Sequence, residues 1–327
     1  MKLISIWSPG KSILFGEYAV LFGFPGYARP ISEGLSVILR SSDGIGISIV
    51  SESWQYETSA DDLISRYHQA QELYDSMGAQ KQSLPWNDPY DFLLVLIGCC
   101  LERSGVMSLD IQIHSTLEMD SGQGSSAALT ISMLKAFLDL CGESFIAAPQ
   151  ELLLLAQTLE GFQHGLSSGL DLKAIYYQNL VSLDRILPPS LLMGFPIFSV
   201  HTGRPCVTTG QCVDRVLQGN IESFKMKYQS VNLAIAQFLE TPTESLLRSA
   251  FRLNHRWLCD IGVVPLKVQQ FIDSVEKQGG VAKISGSGAI FGHSAGQVLI
   301  YGLADPETFC ALYQYSISKT TQGASNG

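Results

Sequence analysis

Three short segments of this chain combine residue types that could bind phosphate or move a proton. The first contains Gly10, Lys11 and Ser12, which are the residue types that end a nucleotide-binding P-loop. The pattern G-x-x-x-x-G-K-[ST] requires an earlier glycine at position 5, but that residue is Ser5. A P-loop also leads into a helix, whereas residues 13–22 predict a strand and a turn. If Lys11 binds phosphate, it does so in a fold of another kind.

The second segment runs Asp-Ser-Gly-Gln-Gly-Ser-Ser-Ala-Ala over residues 120–128 and leads into a helix predicted over residues 125–140. Its glycines allow a tight turn and its serines suit a helix cap, so backbone N–H groups at the helix start could bind an anion such as phosphate. An ordinary glycine turn with a serine cap would have the same sequence. The candidate phosphate-binding residues are Gly122, Gly124, Ser125 and Ser126.

The third segment carries two carboxylates and a histidine. Glu160 and His164 are four residues apart, which places both side chains on one face of the helix predicted to begin at residue 149. Asp171 follows a Ser-Ser-Gly turn that could hold it at the mouth of a site. We interpret His164, which precedes Gly165, as a side chain at the helix C-terminus. Glu160 and Asp171 have no comparable structural explanation.

Composition narrows the class of protein and of partner. The chain has 327 residues, of which 46% are hydrophobic and 16% charged, as expected for one large domain or two folded ones. The net charge of −9 argues against a nucleic-acid partner. Seven scattered cysteines without a C-x-x-C pair suggest neither disulfides nor zinc, and we interpret them as small core residues.

The apolar run 92–101 is about half of the roughly 20 residues that a membrane span needs. With no cleavable signal pattern at the start of the sequence, we expect a cytoplasmic protein that does not use a membrane as a partner. The partner we expect is a small-molecule substrate, and a homodimer is an open option.

The order of predicted elements is α+β rather than a repeating β-α-β series. Adjacent prolines within residues 183–196 mark a junction near residue 188, which gives domains 1–188 and 189–327. We predict a frayed tail at 320–327. The predicted strands are 2–7, 33–40, 45–51, 108–115, 197–203 and 297–303; the predicted helices are 61–77, 89–104, 125–140, 149–163, 212–239, 243–260, 265–278 and 305–316, with a glycine-rich loop at 279–292.

Together these segments resemble the GHMP small-molecule kinases, and within them the mevalonate kinases. The matching segments are 9–26, which resembles PGKxxLxGEHAVxxGxPA; 122–128, which resembles GLGSSAA; the glycine-rich loop at 283–288; Glu160 followed by HGxxSGxD at 164–171; and 254–263, which is similar to N-[QH]-x-L-L-x-x-L-G-V. The resemblance spans nearly the whole chain. It implies an α+β two-domain GHMP kinase fold, with an N-terminal domain like ribosomal protein S5 domain 2 and a ferredoxin-like C-terminal domain.

The same resemblance implies ATP and Mg²⁺ as cofactors and phosphorylation of the primary hydroxyl of mevalonate. By analogy, the loop 122–126 wraps the ATP phosphates, and Ser126 and Glu160 hold Mg²⁺. Asp171 is the base that accepts the hydroxyl proton, and Lys11 lies beside it and neutralises charge on the transferred phosphoryl group. The residues expected at the substrate are Glu17, Tyr18, Ser168, Arg204, Gly286 and Ser287.

Several residues depart from the pattern of the family. Tyr18 stands where mevalonate kinases have a substrate-contacting histidine, and a tyrosine there also occurs in phosphomevalonate kinases, for which Arg204 could bind the additional phosphate. The third glycine run ends at Ala289, and Glu118 replaces a proline. Two alternatives therefore stay open: a phosphomevalonate kinase, or a protein of this fold that binds a metabolite without turning it over.

Overall fold

The structure, a computed structural model, describes residues 2–41, 46–117, 122–142, 145–146, 148–165 and 167–319. Glu118, Asp120, Ser121 and the tail 320–327, which the sequence analysis interpreted, lie outside these residues. The chain divides into two compact units, and the predicted boundary at residue 188 stays a prediction. Unit 1 comprises Met1–Gly10, Glu33–Leu117 and Ser125–Tyr176, and unit 2 comprises Lys11–Ser32, Glu118–Gly124 and Tyr177–Gly327.

The described residues form ten strands and ten α-helices, with 3-10 helices at Ala19–Phe22 and Pro189–Leu192. The strands are β1 (Leu3–Phe15), β2 (Tyr27–Ser41), β3 (Gly46–Ser51), β4 (Gln55–Thr58), β5 (Ser108–Ser115), β6 (Val181–Ser182), β7 (Ile197–His201), β8 (Val281–Ser285), β9 (Gln297–Tyr301) and β10 (Ser316–Lys319). The helices are α1 (Ala60–Ser76), α2 (Asp91–Ser104), α3 (Ser125–Cys141), α4 (Pro149–His164), α5 (Leu170–Tyr177), α6 (Thr209–Leu217), α7 (Ile221–Glu240), α8 (Glu244–Asp260), α9 (Leu266–Lys277) and α10 (Pro306–Ala311).

The sheet of unit 1 has the strand order β1-β2-β5-β3-β4. Strand β2 pairs antiparallel with β5, with Val37 opposite Ile113. Strand β3 pairs parallel with β5, with Ile47 opposite Leu109. Alternate residues of β3, of β5 and of residues 35–41 in β2 are buried, as the period of two in their sequences predicts. The four strands predicted in the N-terminal part are confirmed as β1, β2, β3 and β5, although β1 and β2 are longer than predicted, and β4 is an addition to them.

The apolar run of residues 92–101 forms the buried centre of α2, which packs on α1. Gly98 makes this close packing possible, because a Cβ at that position would lie 2.1 Å from the carbonyl oxygen of Leu63. Among the residues that the structure describes, no helix is long and apolar enough to cross a membrane. Because its residues are buried, the run is part of the core of unit 1.

Helix α4 is fixed at its C-terminal end by Tyr74 of α1. The Tyr74 hydroxyl donates a hydrogen bond to the carbonyl oxygen of Gly165, and a Cβ on Gly161 would lie 2.4 Å from the same hydroxyl. Glu160 precedes Gly161, so this contact sets the position of the helical turn that carries the candidate carboxylate.

The sheet of unit 2 is antiparallel throughout, with the strand order β10-β7-β9-β8. Helix α8 packs on β8, and α7 packs on α8. Phe15, from the end of β1, lies edge-to-face with Phe238 and Phe251 at centroid distances of 6.3 and 5.7 Å. The aromatic core of this unit thus anchors the end of the segment that contains Lys11.

Three sequence predictions for unit 2 are corrected. The helix predicted over residues 212–239 is two helices, α6 and α7, because Asn220 accepts a hydrogen bond from the N–H of Ser223 and starts a new helix. The predicted loop 279–292 contains the buried strand β8. The predicted helix 305–316 ends at Ala311 and is followed by β10. In unit 1, the short helix α5 was not predicted.

The cysteines follow the interpretation as core residues only in part. Cys99, Cys100, Cys212 and Cys310 are buried, whereas Cys206 is exposed. The Cys206 thiol lies 3.3 Å from the carbonyl oxygen of Phe291. Cys206 is therefore a surface residue.

Candidate active site

Lys11 and Gly124 are in direct contact in unit 2. The N–H of Lys11 donates a 2.8 Å hydrogen bond to the carbonyl oxygen of Gln123, and the lysine is 4% exposed. Gly124 has a φ of 76°, and a Cβ there would lie 2.8 Å from Cγ and 2.9 Å from Cε of Lys11. Only glycine fits this position without displacing the lysine, which explains the glycine of the second motif.

The glycine motif at 122–128 and the C-terminal glycine-rich motif at 283–288, called here the second and third motifs, meet at two glycines. Gly122 and Gly286 have φ values of 82° and 96°, and a Cβ on Gly286 would lie 3.7 Å from Cα of Gly122. Ser285, which precedes Gly286, accepts a 2.8 Å hydrogen bond from the N–H of Ile13 at its hydroxyl. The three glycine-containing motifs of the sequence are therefore neighbours within unit 2.

Tyr18 contacts the third motif through its hydroxyl. The residue is 6% exposed, has a left-handed φ of 56°, and donates a 2.5 Å hydrogen bond to the carbonyl oxygen of Ser287. Burial raises the pKa of Tyr18 well above its usual value, so the hydroxyl stays protonated and is a donor. The predicted substrate contacts of Tyr18, Gly286 and Ser287 stay predictions, but these three residues lie together.

Glu17 pairs with a lysine that the sequence analysis did not assign to the site. Its Oε1 accepts a hydrogen bond from Nζ of Lys283, and the two side chains are 1% and 0% exposed. Burial raises the pKa of Glu17, and the Lys283 ammonium opposes that effect. Lys283 was placed in the glycine-rich loop at 283–288 but was given no role, because β8 was predicted to be part of a loop. A lysine flanked by apolar residues in the segment VAKIS was the available signal.

In unit 1, Ser126 and Glu160 bring two oxygens together at the start of α3. The Ser126 hydroxyl donates a 3.0 Å hydrogen bond to Oε2 of Glu160, and Thr130 donates one of 3.0 Å to Oε1. Glu160 is 4% exposed. Thr130, one turn along α3, was not predicted, although its i+4 spacing from Ser126 places it on the same face.

His164 lies beside this pair. Its Nε2 is 3.2 Å from the Ser126 hydroxyl and 3.6 Å from Oε2 of Glu160, and its side chain is 44% exposed. The histidine is the last residue of α4, as its position before Gly165 suggested. Its ring nevertheless contacts the two candidate metal ligands, which the interpretation as a helix-end residue did not anticipate.

The Ser126–Glu160 pair fits a magnesium ion by its chemistry. Mg²⁺ prefers oxygen ligands and is usually bound by one or two protein groups together with phosphates and waters. Within the part of the chain that the structure describes, no group of three or more His, Cys, Asp or Glu side chains is placed to hold a metal. A hydroxyl and a buried carboxylate match the smaller ligand set that Mg²⁺ takes when a nucleotide supplies its other ligands.

Asp171 lies in the first turn of α5, immediately after a well-fixed turn. Gly169 has a φ of 77°, and the Ser168 hydroxyl accepts a 3.3 Å hydrogen bond from the N–H of Leu170. The Gln157 side chain of α4 donates a 2.6 Å hydrogen bond to the carbonyl oxygen of Ser167. These contacts set the start of α5, and a carboxylate in a first helical turn interacts favourably with the helix dipole.

Arg204 lies on the exposed segment that follows β7. His201, the last residue of that strand, has its Nε2 at 2.9 Å from Nε2 of Gln123 in the second motif. Gln123 stands where the family pattern has leucine, so this polar contact is a feature of this chain. The predicted phosphate contact of Arg204 stays a prediction.

Known proteins with similar sequences belong to the family that the motifs resemble. Residues 92–179 match the family model described as the GHMP kinases N terminal domain. The mevalonate kinase of Methanothermobacter thermautotrophicus is 30% identical over 178 residues, which are 54% of this chain and 49% of that protein. The mevalonate kinase of Pyrococcus horikoshii is 24% identical over 311 residues, which are 88% of this chain and 87% of that protein. The first match thus spans about half the length of the relative.

The crystal structure of the Methanococcus jannaschii mevalonate kinase has a TM-score of 0.81 with 17% identity, and the match covers 99% of each chain. At this identity the likeness establishes the fold, which is the predicted α+β GHMP kinase fold. The predicted family resemblance is confirmed: residues 92–179 match the N-terminal domain of the GHMP kinases. Its sequence is similar to mevalonate kinases over most of its length.

Proposed function

We propose that this protein is an ATP-dependent small-molecule kinase that phosphorylates the primary hydroxyl of mevalonate. The observation that carries the proposal is the oxygen pair of Ser126 and Glu160, which are 3.0 Å apart; Ser126 follows the glycine loop at 122–124 in the sequence. A loop of backbone N–H groups next to an oxygen-rich metal site is the arrangement that a phosphoryl donor requires. Similarity to mevalonate kinases supports the choice of acceptor.

The phosphates of ATP would be bound by backbone N–H groups of the glycine loop and of the first turn of α3. Glu160 and Ser126 would hold Mg²⁺, which supplies neutralising charge on the phosphate oxygens when it is bound. Thr130 holds the second carboxylate oxygen of Glu160 in place through its 3.0 Å hydrogen bond. Because the carboxylate is already oriented, it loses little conformational entropy when the ion binds.

Asp171 would accept the proton of the acceptor hydroxyl as that oxygen attacks the γ-phosphorus. General-base catalysis of this kind contributes roughly 10²–10⁴-fold to the rate. Lys11 would neutralise charge that develops on the transferred group, and its buried stem is held against Gly124. The two residues supply the two charges of opposite sign that phosphoryl transfer to a neutral hydroxyl needs.

A second candidate acceptor is phosphomevalonate. It is favoured by Tyr18, whose hydroxyl is engaged with the carbonyl oxygen of Ser287 in the position where mevalonate kinases have a histidine. The exposed Arg204 would then provide a planar pair of donors for the additional phosphate. This candidate differs from the first only in the acceptor.

The test measures ADP release from the purified protein with Mg-ATP and, separately, mevalonate, phosphomevalonate, galactose, homoserine or no acceptor. Turnover with mevalonate alone supports the proposal. Turnover with phosphomevalonate alone supports the second candidate function instead. ATP binding without turnover on any acceptor would contradict both and leave the non-catalytic alternative.

The variant Asp171→Asn tests the base. It should lose phosphoryl transfer by roughly 10²-fold or more while it still binds ATP. Asp61→Asn is the matched control, because Asp61 also lies in the first turn of a helix, α1, and is exposed. Normal turnover in the Asp171 variant would refute the assignment of the base.

A further inference from the structure

Three possible metal-ligating atoms from two helices of unit 1 lie next to one another. They are Oγ of Ser126 on α3 and, on α4, Oε2 of Glu160 and Nε2 of His164. The hydroxyl oxygen lies 3.0 Å from the carboxylate oxygen and 3.2 Å from the imidazole nitrogen, and the carboxylate oxygen and the nitrogen are 3.6 Å apart. The three atoms therefore form a small triangle.

The size of this triangle corresponds to one face of an octahedral metal site. Neighbouring ligands at about 2.1 Å from an octahedral ion are about 3 Å from each other. Two edges of the triangle are close to this length, and the third, between Glu160 and His164, is longer by about 0.6 Å. The ring of His164 has room to move by this distance, because its side chain is 44% exposed. One ion can therefore contact all three atoms.

The protein fixes the two α4 residues of this group. Thr130 donates a 3.0 Å hydrogen bond to Oε1 of Glu160, which leaves Oε2 to face the other two atoms. His164 is the last residue of α4, and the Tyr74 hydroxyl donates a hydrogen bond to the carbonyl oxygen of the next residue, Gly165. Because Glu160 and His164 are four residues apart, α4 supplies both from one face.

The nitrogen atom affects which ion the site prefers. Mg²⁺ prefers oxygen ligands, which the Ser126 hydroxyl and the Glu160 carboxylate provide. Imidazole is a ligand of transition metals, and sites with nitrogen and oxygen ligands bind divalent ions more tightly in the order Mn²⁺, Fe²⁺, Co²⁺, Ni²⁺. If His164 acted only as a hydrogen-bond partner of Ser126, it would support both classes of ion equally.

We propose that His164 is a third ligand of the metal site, and that its nitrogen makes the site bind a divalent transition metal ion more tightly than Mg²⁺. This inference rests on the proposed role of Ser126 and Glu160 as metal ligands. Mg²⁺ binds through the two oxygens, whereas a transition metal ion gains an additional bond to the imidazole nitrogen.

The test measures binding of Co²⁺ and Mg²⁺ to the purified protein, alone and with ADP, so that no turnover is needed. Co²⁺ is the probe because its visible absorption changes when a nitrogen ligand binds, and Mg²⁺ affinity follows from displacement of Co²⁺. In His164→Gln we expect the Kd of Co²⁺ to rise about ten-fold or more, and the Kd of Mg²⁺ to change by less than about three-fold. His68→Gln is the matched control, because His68 also lies on a helix of unit 1, contacts Glu102 and is 49% exposed.

Glu160→Gln shows whether the ions occupy this site, since it should weaken binding of both. Co²⁺ affinity that does not respond to Glu160→Gln or to His164→Gln would overturn the inference. Equal losses of Co²⁺ and Mg²⁺ affinity in His164→Gln, or wild type that binds Mg²⁺ at least as tightly as Co²⁺, would do the same. Co²⁺ binding that depends on His164, in a protein that releases no ADP with any acceptor, would overturn the proposed function but not the inference.

Discussion

The hydroxyl of Tyr18 donates a hydrogen bond to the carbonyl oxygen of Ser287 and joins the first sequence motif to the third. The third motif has a shortened glycine run, which ends where the N–H of Ala289 donates a 2.9 Å hydrogen bond to the carbonyl oxygen of Val263. The loop at 286–288 is thus held on both sides. In this protein, Tyr18, at the position of the family's histidine, is hydrogen-bonded to the loop at 286–288.

Tyr18→Phe removes this hydrogen bond with little change of shape. Loss of one hydrogen bond costs about 1 kcal/mol, so we expect KM for the acceptor to rise about five-fold while KM for ATP stays near wild type. Tyr228→Phe is the matched control, because Tyr228 is also buried in unit 2 and its hydroxyl has no hydrogen-bond partner among the described residues. Equal acceptor KM values for the two variants would contradict a role of Tyr18 in holding the loop.

Gly124→Ala tests the contact between the glycine loop and Lys11. The new methyl group would lie 2.8 Å from Cγ of Lys11, so we expect displacement of the lysine and a fall in kcat of about ten-fold or more. Gly142→Ala separates this effect from backbone strain, since Gly142 has a similar φ of 72° but no atom within 4 Å of the added Cβ. Both variants should lose about 1 kcal/mol of unfolding free energy, but only Gly124→Ala should lose activity.

Features that depend on neighbouring residues were predicted from the sequence, whereas features that depend on contacts between distant residues were not. The helix that begins at Ser125 and the glycines around it follow from local periodicity and turn chemistry, and both are confirmed. The strand β8 was missed, because its glycine-rich flanks resemble a loop and its pairing partner β9 lies beyond the turn that follows it. No role was predicted for Lys283, because its partner Glu17 is distant in sequence.

The candidate metal site shows the same limit. The i,i+4 spacing of Glu160 and His164 placed them on one face of α4, but a sequence does not reveal what that face packs against. The structure brings Ser126 and Thr130 of α3 to the same carboxylate. The ring of His164 belongs to this group through a tertiary contact that the helix pattern alone does not contain.

Glu160→Gln removes one anionic oxygen from the candidate magnesium site. We expect the Mg²⁺ concentration for half-maximal activity to rise by about ten-fold or more, because carboxylate is a preferred ligand of Mg²⁺. Thr130→Val should have a smaller effect in the same direction, since it frees the carboxylate without removing it. Glu151→Gln, on the same helix but in a surface ion pair with Arg103, should leave the Mg²⁺ titration unchanged. Superimposable titrations for Glu160→Gln and wild type would exclude the ligand role.

Acid should destabilise this protein through His255 of α8. Burial lowers the pKa of His255 from 6.5 to about 4, so the folded protein binds fewer protons than the unfolded chain between these pH values. Stability is therefore fully present above pH 6.5 and is lost as the pH falls toward 4, by about 3 kcal/mol for this residue. Urea unfolding at several pH values should show this slope in wild type. In His255→Gln, the loss of unfolding free energy between pH 6.5 and pH 4 should be smaller by that amount. Equal losses in the two proteins would mean that His255 is not the group responsible.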